Sequence, residues 1–536
     1  MMKMLLIQDD FTILLQTNHP DFEIIRDRVI RFAEIYQSPD SLYIFRITNL
    51  SIWNAAALGY SKHFILDTLK DYSINNIPSH ISDKIQEWFD IYGQVKLYTV
   101  NDNTLFLYVE SEKMRERLLK EKTILPLIEN NFLVSDIHRG EIKSRLMKLG
   151  IPVEDLAGFK EGEYLNIDLD QNNSMDCRAF QEDAERALYE GGSGVAIAPC
   201  GSGKTLIGIK LMSRVKRSTL IVTNNRASTQ QWKRALLKLT NLKEDQISIY
   251  GSDNKRLAPV TITTYNMIAY KNKGEYVNFK KIKDYNWGLL LGDEIHYAPA
   301  STFRVISALQ SIRRVGLTAT LAREDGREAD VFTLIGIKRF EKPWKDLEQQ
   351  GYIAELDLNE IKVPMSESDR MRYTRAINMR DKFEIAASSE NKIRVIEQLL
   401  NTHKSESILI IGHFTQQLLD LGKRLNIPVV YGETEDKIRE QIYEQVRTGD
   451  RKVFIASKVA NAALDIPCLS VLIQISFQYS SRNEEAQRQG RITRPNKKVG
   501  HSYTLVSEDT VEEIYNRNRM TFLTNEGYTY KVKRIA

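Results

Sequence analysis

The chain runs to 536 residues, 42% of them hydrophobic and 27% charged, with a formal net charge of +5. That length is too great for one hydrophobic core, so three or four domains are expected, and the ordinary composition excludes a disordered chain. The small net charge permits nucleic-acid binding by local patches without arguing for it, and the lack of an apolar run of about 18 residues excludes membrane-crossing helices and favours a soluble, cytoplasmic protein.

At the start, the apolar stretch Met1 to Leu6 holds one Lys3 and is broken by Asp9 and Asp10, a poor signal peptide. Residues 1–95 combine strand-like pieces, Ile13-Leu14-Leu15 and Tyr43-Ile44-Phe45, with a helical stretch carrying Trp53, Ala55, Ala56, Ala57 and Leu58. Residues 96–170 open on strand-like alternation from Lys96 to Val109. A charged helical run from Ser111 to Lys122 follows, then a further strand and helix, and a polar, turn-rich link from Gly158 to Asp170. From 171 the character changes. Short apolar runs (Gly194–Ala198, Thr219–Thr223, Val260–Thr263, Gly288–Leu291, Val315–Leu317) alternate with amphipathic helical stretches. This is the rhythm of βαβ units on a parallel sheet buried on both faces. Residues 341–400 are highly charged and mostly helical in pattern, and from 401 the rhythm resumes in Ile408–Ile411, Val429–Tyr431, Val453–Ile455, Val471–Ile475 and Tyr503–Val506. The expected fold class is therefore α/β: two lobes flanking an insert, preceded by two smaller domains. Cys177, Cys200 and Cys468 form no CxxC pair, so neither a zinc site nor a disulfide framework is expected.

Three motifs carry chemistry. Ala198-Pro199-Cys200-Gly201-Ser202-Gly203-Lys204-Thr205 follows an apolar run and precedes a helical stretch. Its glycines let backbone N–H groups turn inward at a helix N-terminus to cradle a triphosphate; Lys204 supplies the cation and Thr205 a hydroxyl for Mg²⁺. The first position is Ala198 rather than Gly, which the turn tolerates; the bland alternative is a strand-to-helix turn with no ligand. Leu289-Leu290-Leu291-Gly292-Asp293-Glu294-Ile295-His296 is an apolar strand ending in two carboxylates, with Gly292 standing where a bulky apolar residue would be expected. Asp293 suits Mg²⁺, and Glu294 suits the orientation or deprotonation of a water. Strand alternation would make the two acids diverge unless the strand ends there. Alone, such a pair is an ordinary solvated loop or cap; the preceding phosphate loop changes that. Gly316-Leu317-Thr318-Ala319-Thr320 ends another buried strand, and its hydroxyls could couple the ATP site to neighbouring groups, or merely terminate the strand. In the second lobe, Gln487-Arg488-Gln489-Gly490-Arg491-Ile492-Thr493-Arg494 is expected on a helix whose i,i+3 arginines share one face. Arginines from a facing lobe can stabilise γ-phosphoryl charge. The alternative is a solvated or phosphate-gripping basic helix.

These residues also carry a family resemblance. Arg178-Ala179-Phe180-Gln181 resembles the adenine-reading Q-motif of superfamily-two helicases, and the other motifs follow in that family's order. Gly316–Asp325, Val471–Ser476 with Glu485–Arg488, and Ser502–Lys533 are similar to the xeroderma pigmentosum group B (XPB) branch. Phe45–Asn54 resembles its opening domain and Arg139–Gly158 its damage-recognition domain, so the likeness spans nearly the whole chain. The resemblance implies an ATP- and Mg²⁺-dependent DNA helicase of 3′→5′ polarity built on two RecA-like lobes. It implies an XPB-type domain over 1–95 and a damage-recognition-like domain over 96–170. A first lobe over 171–340, a linker with a thumb-like, DNA-gripping insert near 365–388 within 341–400, and a second lobe over 401–536 complete the layout. ATP would be held by Arg178, Gln181, Pro199, Cys200, Gly201, Ser202, Gly203, Lys204, Thr205 and Asp465, and Mg²⁺ by Thr205 and Asp293. Hydrolysis would rest on Lys204, Asp293, Glu294, Arg491 and Arg494, and coupling on His296, Thr318, Thr320 and Gln487. Arg323, Glu324 and Asp325 would act at the junction of single-stranded and duplex DNA. A nuclease or repair protein is a conceivable partner, and no membrane is involved.

One departure stands out. Ser457–Pro467 carries Ala460, Ala462 and Ala463 where the family places Gly and further polar residues before the Asp, which removes hydroxyl and carboxylate groups available to ATP or DNA. Two rival functions remain: a duplex-DNA translocase without net strand separation, and an assembly factor using ATP as a switch. The joint presence of Lys204, Glu294 and Arg491 speaks against the switch. RNA is the less expected substrate.

Overall fold

Four β-sheets organise the described residues. The structure, a computed structural model, describes residues 3–37, 42–101, 104–120, 127–128, 131–135, 138–157, 160–170, 178–297, 305–306, 309, 311–320, 330–331, 335–336, 338–457, 466–477, 482–494 and 499–535. By packing, the chain divides into two compact units. The first comprises Met1–Ile197, Thr205–Leu321 and Gly326–Glu341; the second comprises Ala198–Lys204, Ala322–Asp325 and Lys342–Ala536.

The first unit holds three sheets. Strands β1 (Leu5–Ile7), β2 (Thr12–Gln16), β3 (Glu34–Gln37) and β4 (Leu42–Arg46) form an antiparallel sheet in the order β1-β2-β4-β3. Its alternating apolar residues Ile13, Leu15 and Phe45 meet Ile52, Ile65, Leu69, Ile81 and Ile85 from three helices in one core. The helix Asn49–Ala57 begins at a reciprocal cap: Ser51 N–H donates to Thr48 Oγ1 (3.0 Å) and Thr48 N–H to Ser51 Oγ (2.9 Å). The alternation from Lys96 to Val109 is not one strand but a hairpin, β5 (Val95–Asn101) and β6 (Thr104–Val109). With β7 (Leu127–Ile128), β8 (Asn131–Ser135) and β9 (Glu154–Asp155) it makes a second sheet ordered β7-β8-β6-β5-β9.

The third sheet is fully parallel: β10 (Gly194–Ile197), β11 (Thr219–Thr223), β12 (Ile247–Ile249), β13 (Val260–Thr264), β14 (Leu289–Asp293), β15 (Arg313–Thr318) and β16 (Lys338–Glu341), ordered β12-β13-β11-β14-β15-β10-β16. Its interior strands are buried along their length, which is why they read as unbroken apolar runs. The edge strands β12 and β16 were not apparent in the sequence, since both are short and β16 reads Lys-Arg-Phe-Glu.

Two features fasten the second sheet and its neighbours to the third. The segment 160–170 lies along the strand starts of the third sheet: Ile312 N–H donates to Lys160 O (2.9 Å), Ser218 N–H to Glu163 O (2.8 Å) and Leu165 N–H to Lys216 O (3.0 Å). The approach is so close that a Cβ on Gly162, whose φ is +79°, would land 2.1 Å from Gly288 N. Nearby, the Asp155 carboxylate is buried among cations. Arg139 reaches it through Nη2 (2.6 Å) and Nε (3.0 Å), Lys143 through Nζ (2.8 Å), and Arg314 of β15 adds a third positive charge. Burial pushes this carboxyl up, but Lys143, Arg139 and Arg314 outweigh burial and hold it well below the usual range. Burial brings Lys143 down to about 8 and Arg314 down to about 10, Asp155 opposing both shifts.

The second unit is built on a parallel sheet of β17 (Glu355–Val363), β18 (Ser407–Ile411), β19 (Val429–Val430), β20 (Val453–Ala456), β21 (Leu469–Gln474), β22 (Val499–Ser507) and β23 (Tyr530–Arg534), ordered β19-β20-β18-β21-β22-β17-β23. The stretch 341–400 is mostly helical as expected, but it also holds β17, which the pattern did not reveal. Its nine residues sit inside the sheet, paired with β22 and β23. The charges that disguised it are satisfied at a distance in sequence: Asp357 accepts from Lys531 Nζ (2.7 Å) and pairs with His501 Nδ1 (3.0 Å), and Glu360 accepts from Asn516 Nδ2 (2.9 Å). Two helices, Glu367–Arg375 and Met379–Ala387, occupy the stretch expected to form the thumb-like insert.

Candidate nucleotide site

In the third sheet β14, β15 and β10 are consecutive and parallel, so their carboxyl ends share one edge. The phosphate loop leaves β10, the Asp293-Glu294 pair ends β14, and Thr318-Ala319-Thr320 ends β15. Ligands of open parallel sheets are taken up at such an edge. In the loop, Gly201 and Gly203 have φ of +80° and +88°, the left-handed values that aim successive N–H groups at one point. Ser202 N–H donates to Pro199 O (3.2 Å), closing the turn with Ala198 in first place. Lys204 opens the helix Lys204–Val215 and its Nζ lies over the loop, 3.3 Å from Ala198 O and 3.4 Å from Pro199 O. Thr205 follows it in the first helical turn, and Cys200 is partly buried.

β14 ends at Asp293, and Glu294 turns the chain with φ of +47°, a conformation a residue with a Cβ rarely adopts. That turn answers the divergence expected of adjacent strand residues. Asp293 is held from two sides: Trp232 Nε1–H donates to its Oδ2 (2.8 Å) and Tyr265 O–H to its backbone O (2.9 Å). Burial first, then the charges of Asp293 and Glu294, push the Tyr265 phenol well above its usual range, so it stays a neutral donor. Gly292 also finds its reason. A Cβ there would meet Ile295 Cδ1 at 2.6 Å and the Tyr265 hydroxyl at 3.1 Å, so the bulky residue expected from the pattern has no room.

Behind the carboxylates runs a buried chain of hydrogen bonds. His296 Nδ1 lies 3.5 Å from Glu294 Oε2 and 2.6 Å from Thr318 Oγ1, and Thr318 O–H donates to Thr320 O (2.7 Å). Since the Thr318 proton is committed to Thr320, His296 Nδ1 must be the donor in its contact with Thr318. The expected coupling residues His296, Thr318 and Thr320 are thus hydrogen-bonded to one another, with Glu294 Oε2 3.5 Å from His296. Gln181 is buried in the helix Ala179–Gly191, where its Oε1 accepts from Arg178 N–H (3.1 Å) as a helix cap.

In the second unit the basic-helix expectation needs correction. The helix is Arg482–Gln489, and Arg491 and Arg494 lie beyond it in the following turn, so the three arginines do not share a helical face. Arg488 is buried instead: its Nη1 donates to Gln474 Oε1 (3.0 Å) and its Nη2 to Glu484 Oε2 (3.4 Å). Gln487 is buried, and Arg491 and Arg494 are half-buried. Asp465, the segment Ala460–Ala463 and the trio Arg323, Glu324 and Asp325 lie outside the described residues. Sequence reasoning did not find Trp232, Tyr265 or Gly208. Trp232 and Tyr265 belong to apolar helical patterns that look like ordinary core, and nothing in their spacing marks contact with Asp293.

Known proteins resemble the chain along its whole length. The family described as "ERCC3/RAD25/XPB C-terminal helicase" matches residues 347–535, "Type III restriction enzyme, res subunit" matches 174–323, and "Helicase conserved C-terminal domain" matches 5–130. The DNA 3′-5′ helicase XPB of Kineococcus radiotolerans is 40% identical, over 98% of this chain and 96% of that protein. The protein of the same name from Mycobacterium tuberculosis is 38% identical over 99% and 97%. The general transcription and DNA repair factor IIH helicase/translocase subunit XPB of Encephalitozoon cuniculi is 32% identical over 98% and 81%. Among solved structures, S. cerevisiae Dbp5 bound to RNA and ADP BeF3 aligns with a TM-score of 0.51 at 15% identity, covering 66% of this chain and 89% of that one, which shows a shared two-lobed fold.

Proposed function

The chain belongs to the XPB family of helicases, and on that footing we propose that it is an ATP-dependent DNA helicase moving 3′ to 5′ and separating strands where single-stranded DNA meets duplex. One observation supports the reading: at the strand edge from which the phosphate loop departs, Glu294 Oε2 lies 3.5 Å from His296 Nδ1, and His296 is hydrogen-bonded to Thr318, which bonds Thr320.

In this reading the N–H groups of Gly201 to Lys204 hold the β- and γ-phosphates, and Lys204 Nζ exchanges its loop carbonyls for phosphate oxygens. Glu294 takes a proton from water as the water oxygen bonds to the γ-phosphorus, and the bond from that phosphorus to the bridging oxygen breaks to release ADP. Arg491 and Arg494 oppose the charge that builds on the γ-phosphoryl oxygens. Asp293, oriented by Trp232, and the Thr205 hydroxyl are hard oxygen donors of the kind that hold Mg²⁺, which when bound would neutralise the phosphate charge. Arg178 and Gln181 face adenine, Asp465 also contacts ATP, and Gln487 belongs with the coupling residues. Arg323, Glu324 and Asp325 work at the duplex junction, and a nuclease or repair protein acts on the product. Among the described residues no helix is long and apolar enough to cross a membrane, and a cytoplasmic DNA motor is the reading adopted.

The test is a tailed DNA duplex with ATP, beside its RNA counterpart. Lys204→Ala should lose hydrolysis and unwinding together. Glu294→Gln should still bind ATP but turn over roughly 10²- to 10⁴-fold more slowly, because an amide takes no proton from water. If Glu294→Gln loses ATP binding as fully as turnover, Glu294 is structural; if RNA stimulates hydrolysis better than DNA, the substrate assignment fails.

A further inference from the structure

The paired helices Glu367–Arg375 and Met379–Ala387 have a base and a tip of opposite character. At the base, Phe383 is buried in a cluster with Ala387 and Val511, edged by Tyr373, Phe414 and Tyr515. Its ring meets Phe414 and Tyr515 edge-on, each at 5.1 Å. Tyr373 OH accepts from Val511 N–H (2.9 Å), and Arg370 donates to Glu508 O (2.9 Å) and Asp509 O (3.1 Å). The base is therefore fixed to the turn and helix that follow β22.

The tip is different. Ile377 is 97% exposed, and Met379, which opens the second helix beside it, is 53% exposed. The backbone there is well formed: Asn378 Oδ1 accepts from Asp381 N–H (2.8 Å) to cap the second helix. A lone exposed apolar residue is unremarkable, but Ile377 and Met379 together at the turn, one of them almost wholly in water, form a surface that awaits a partner. The charge around them says which kind. From Met371 to Lys382 the cations are Arg372, Arg375, Arg380 and Lys382 and the only acid is Asp381. Arg372 leans toward Asp369 at 3.6 Å, while Arg375 and Arg380 are exposed. An apolar point ringed by guanidinium groups suits a polyanion whose interior is apolar and stacked. A protein groove that buried Ile377 would have to accommodate those cations as well.

The geometry points to a duplex-DNA wedge, with Ile377, supported by Met379, pressed between base pairs from the minor groove while Arg375 and Arg380 grip the flanking phosphates. The inference rests on DNA as the substrate proposed above. Ile and Met are among the side chains that part base steps in this way, and the cost of unstacking is met by contacts that the bent duplex permits. A wedge on a fixed hairpin gives a translocating motor a way to weaken the stack ahead of it.

The experiment uses the full chain and a set of DNA duplexes carrying 2-aminopurine at successive positions, without ATP. The wild-type protein should raise 2-aminopurine fluorescence at one or two positions. Ile377→Ser should abolish that rise and weaken duplex binding roughly tenfold, with an unchanged melting temperature and an unchanged slope of affinity against salt, because no phosphate contact is removed. Arg375→Ala should instead lower the salt slope by about 1. A fluorescence rise and affinity equal to wild type in Ile377→Ser would overturn the wedge, as would a wild-type protein that unwinds tailed duplexes yet never perturbs 2-aminopurine. A wild-type protein that gives the fluorescence rise but never separates strands would sink the helicase reading and leave the wedge standing.

Discussion

At Gly208, inside the phosphate-loop helix, an added methyl would meet the Trp232 ring at 2.7 Å and Leu291 Cδ1 at 2.9 Å. Alanine is ordinarily favoured over glycine within a helix by about 1 kcal/mol, so this glycine holds space rather than flexibility. The space matters because Trp232, fully buried, gives its N–H to the carboxylate proposed to hold Mg²⁺. Trp232→Phe keeps most of the packing and removes that donor. It should cost about 0.5–1.5 kcal/mol of stability and raise the Mg²⁺ concentration needed for half-maximal ATPase several-fold, with maximal turnover less affected. Steady-state ATPase over a Mg²⁺ titration measures this; an unchanged Mg²⁺ dependence would show that the indole only fills volume. Gly208→Ala should shift the same titration in the same direction through displacement of the ring.

The helix Arg482–Gln489 illustrates what lies between a residue and a lobe. Its sequence, Arg-Asn-Glu-Glu-Ala-Gln-Arg-Gln, is that of a solvated surface, yet from Glu485 onward it is buried. Glu485 accepts from Gln489 Nε2 (2.6 Å) and Gln474 Nε2 (3.2 Å) and pairs with Arg519 (3.3 Å). Arg519 in turn donates to Gln474, Thr504 and Asn516 and lies over the Phe477 ring at 4.2 Å. Removing one member of a buried ion pair strands the other, so Glu485→Ala should cost about 3–5 kcal/mol, and Glu485→Gln with Arg519→Gln should recover much of it. Urea unfolding measures both; a loss under about 1 kcal/mol for Glu485→Ala would mean the pair carries little. The same helix marks the limit of sequence reading. The doubly buried strands β10, β11, β13, β14 and β15 were legible because burial on both faces leaves an unbroken apolar run. The phosphate loop and the Asp293-Glu294 box were legible because their chemistry demands fixed local spacing. The buried polar helix and β17 were not, since the partners outside the element that make their charges tolerable stand 11 to 174 residues away, and no local pattern encodes them. The shared face assigned to Arg488, Arg491 and Arg494 failed for a related reason: periodicity continues past Gln489 where the backbone does not.

Over the whole molecule, the Asp155 cluster joins the second sheet to the motor sheet through one carboxylate and three cations. Asp155→Asn should lower stability at pH 7 by about 3–5 kcal/mol, since the cations remain buried without their counter-charge. The sign with pH follows from the direction of the shift. A carboxyl held below its ordinary value of 3.8 contributes fully above that value and loses the contribution as pH falls through its own lower one. Melting temperatures of wild type and variant, well separated at pH 7, should therefore converge below about pH 4; a gap that stays constant with pH would rule the carboxylate's charge out as its source. The strip 160–170 gives this junction a practical meaning. A motor-only fragment cut to begin at Arg178 would bare the strand starts that donate to Lys160 and Glu163, and would keep Arg314 in a pocket shaped for a carboxylate it no longer owns. Truncation at that point would not liberate an engine from its accessories; it would amputate part of the engine's own housing.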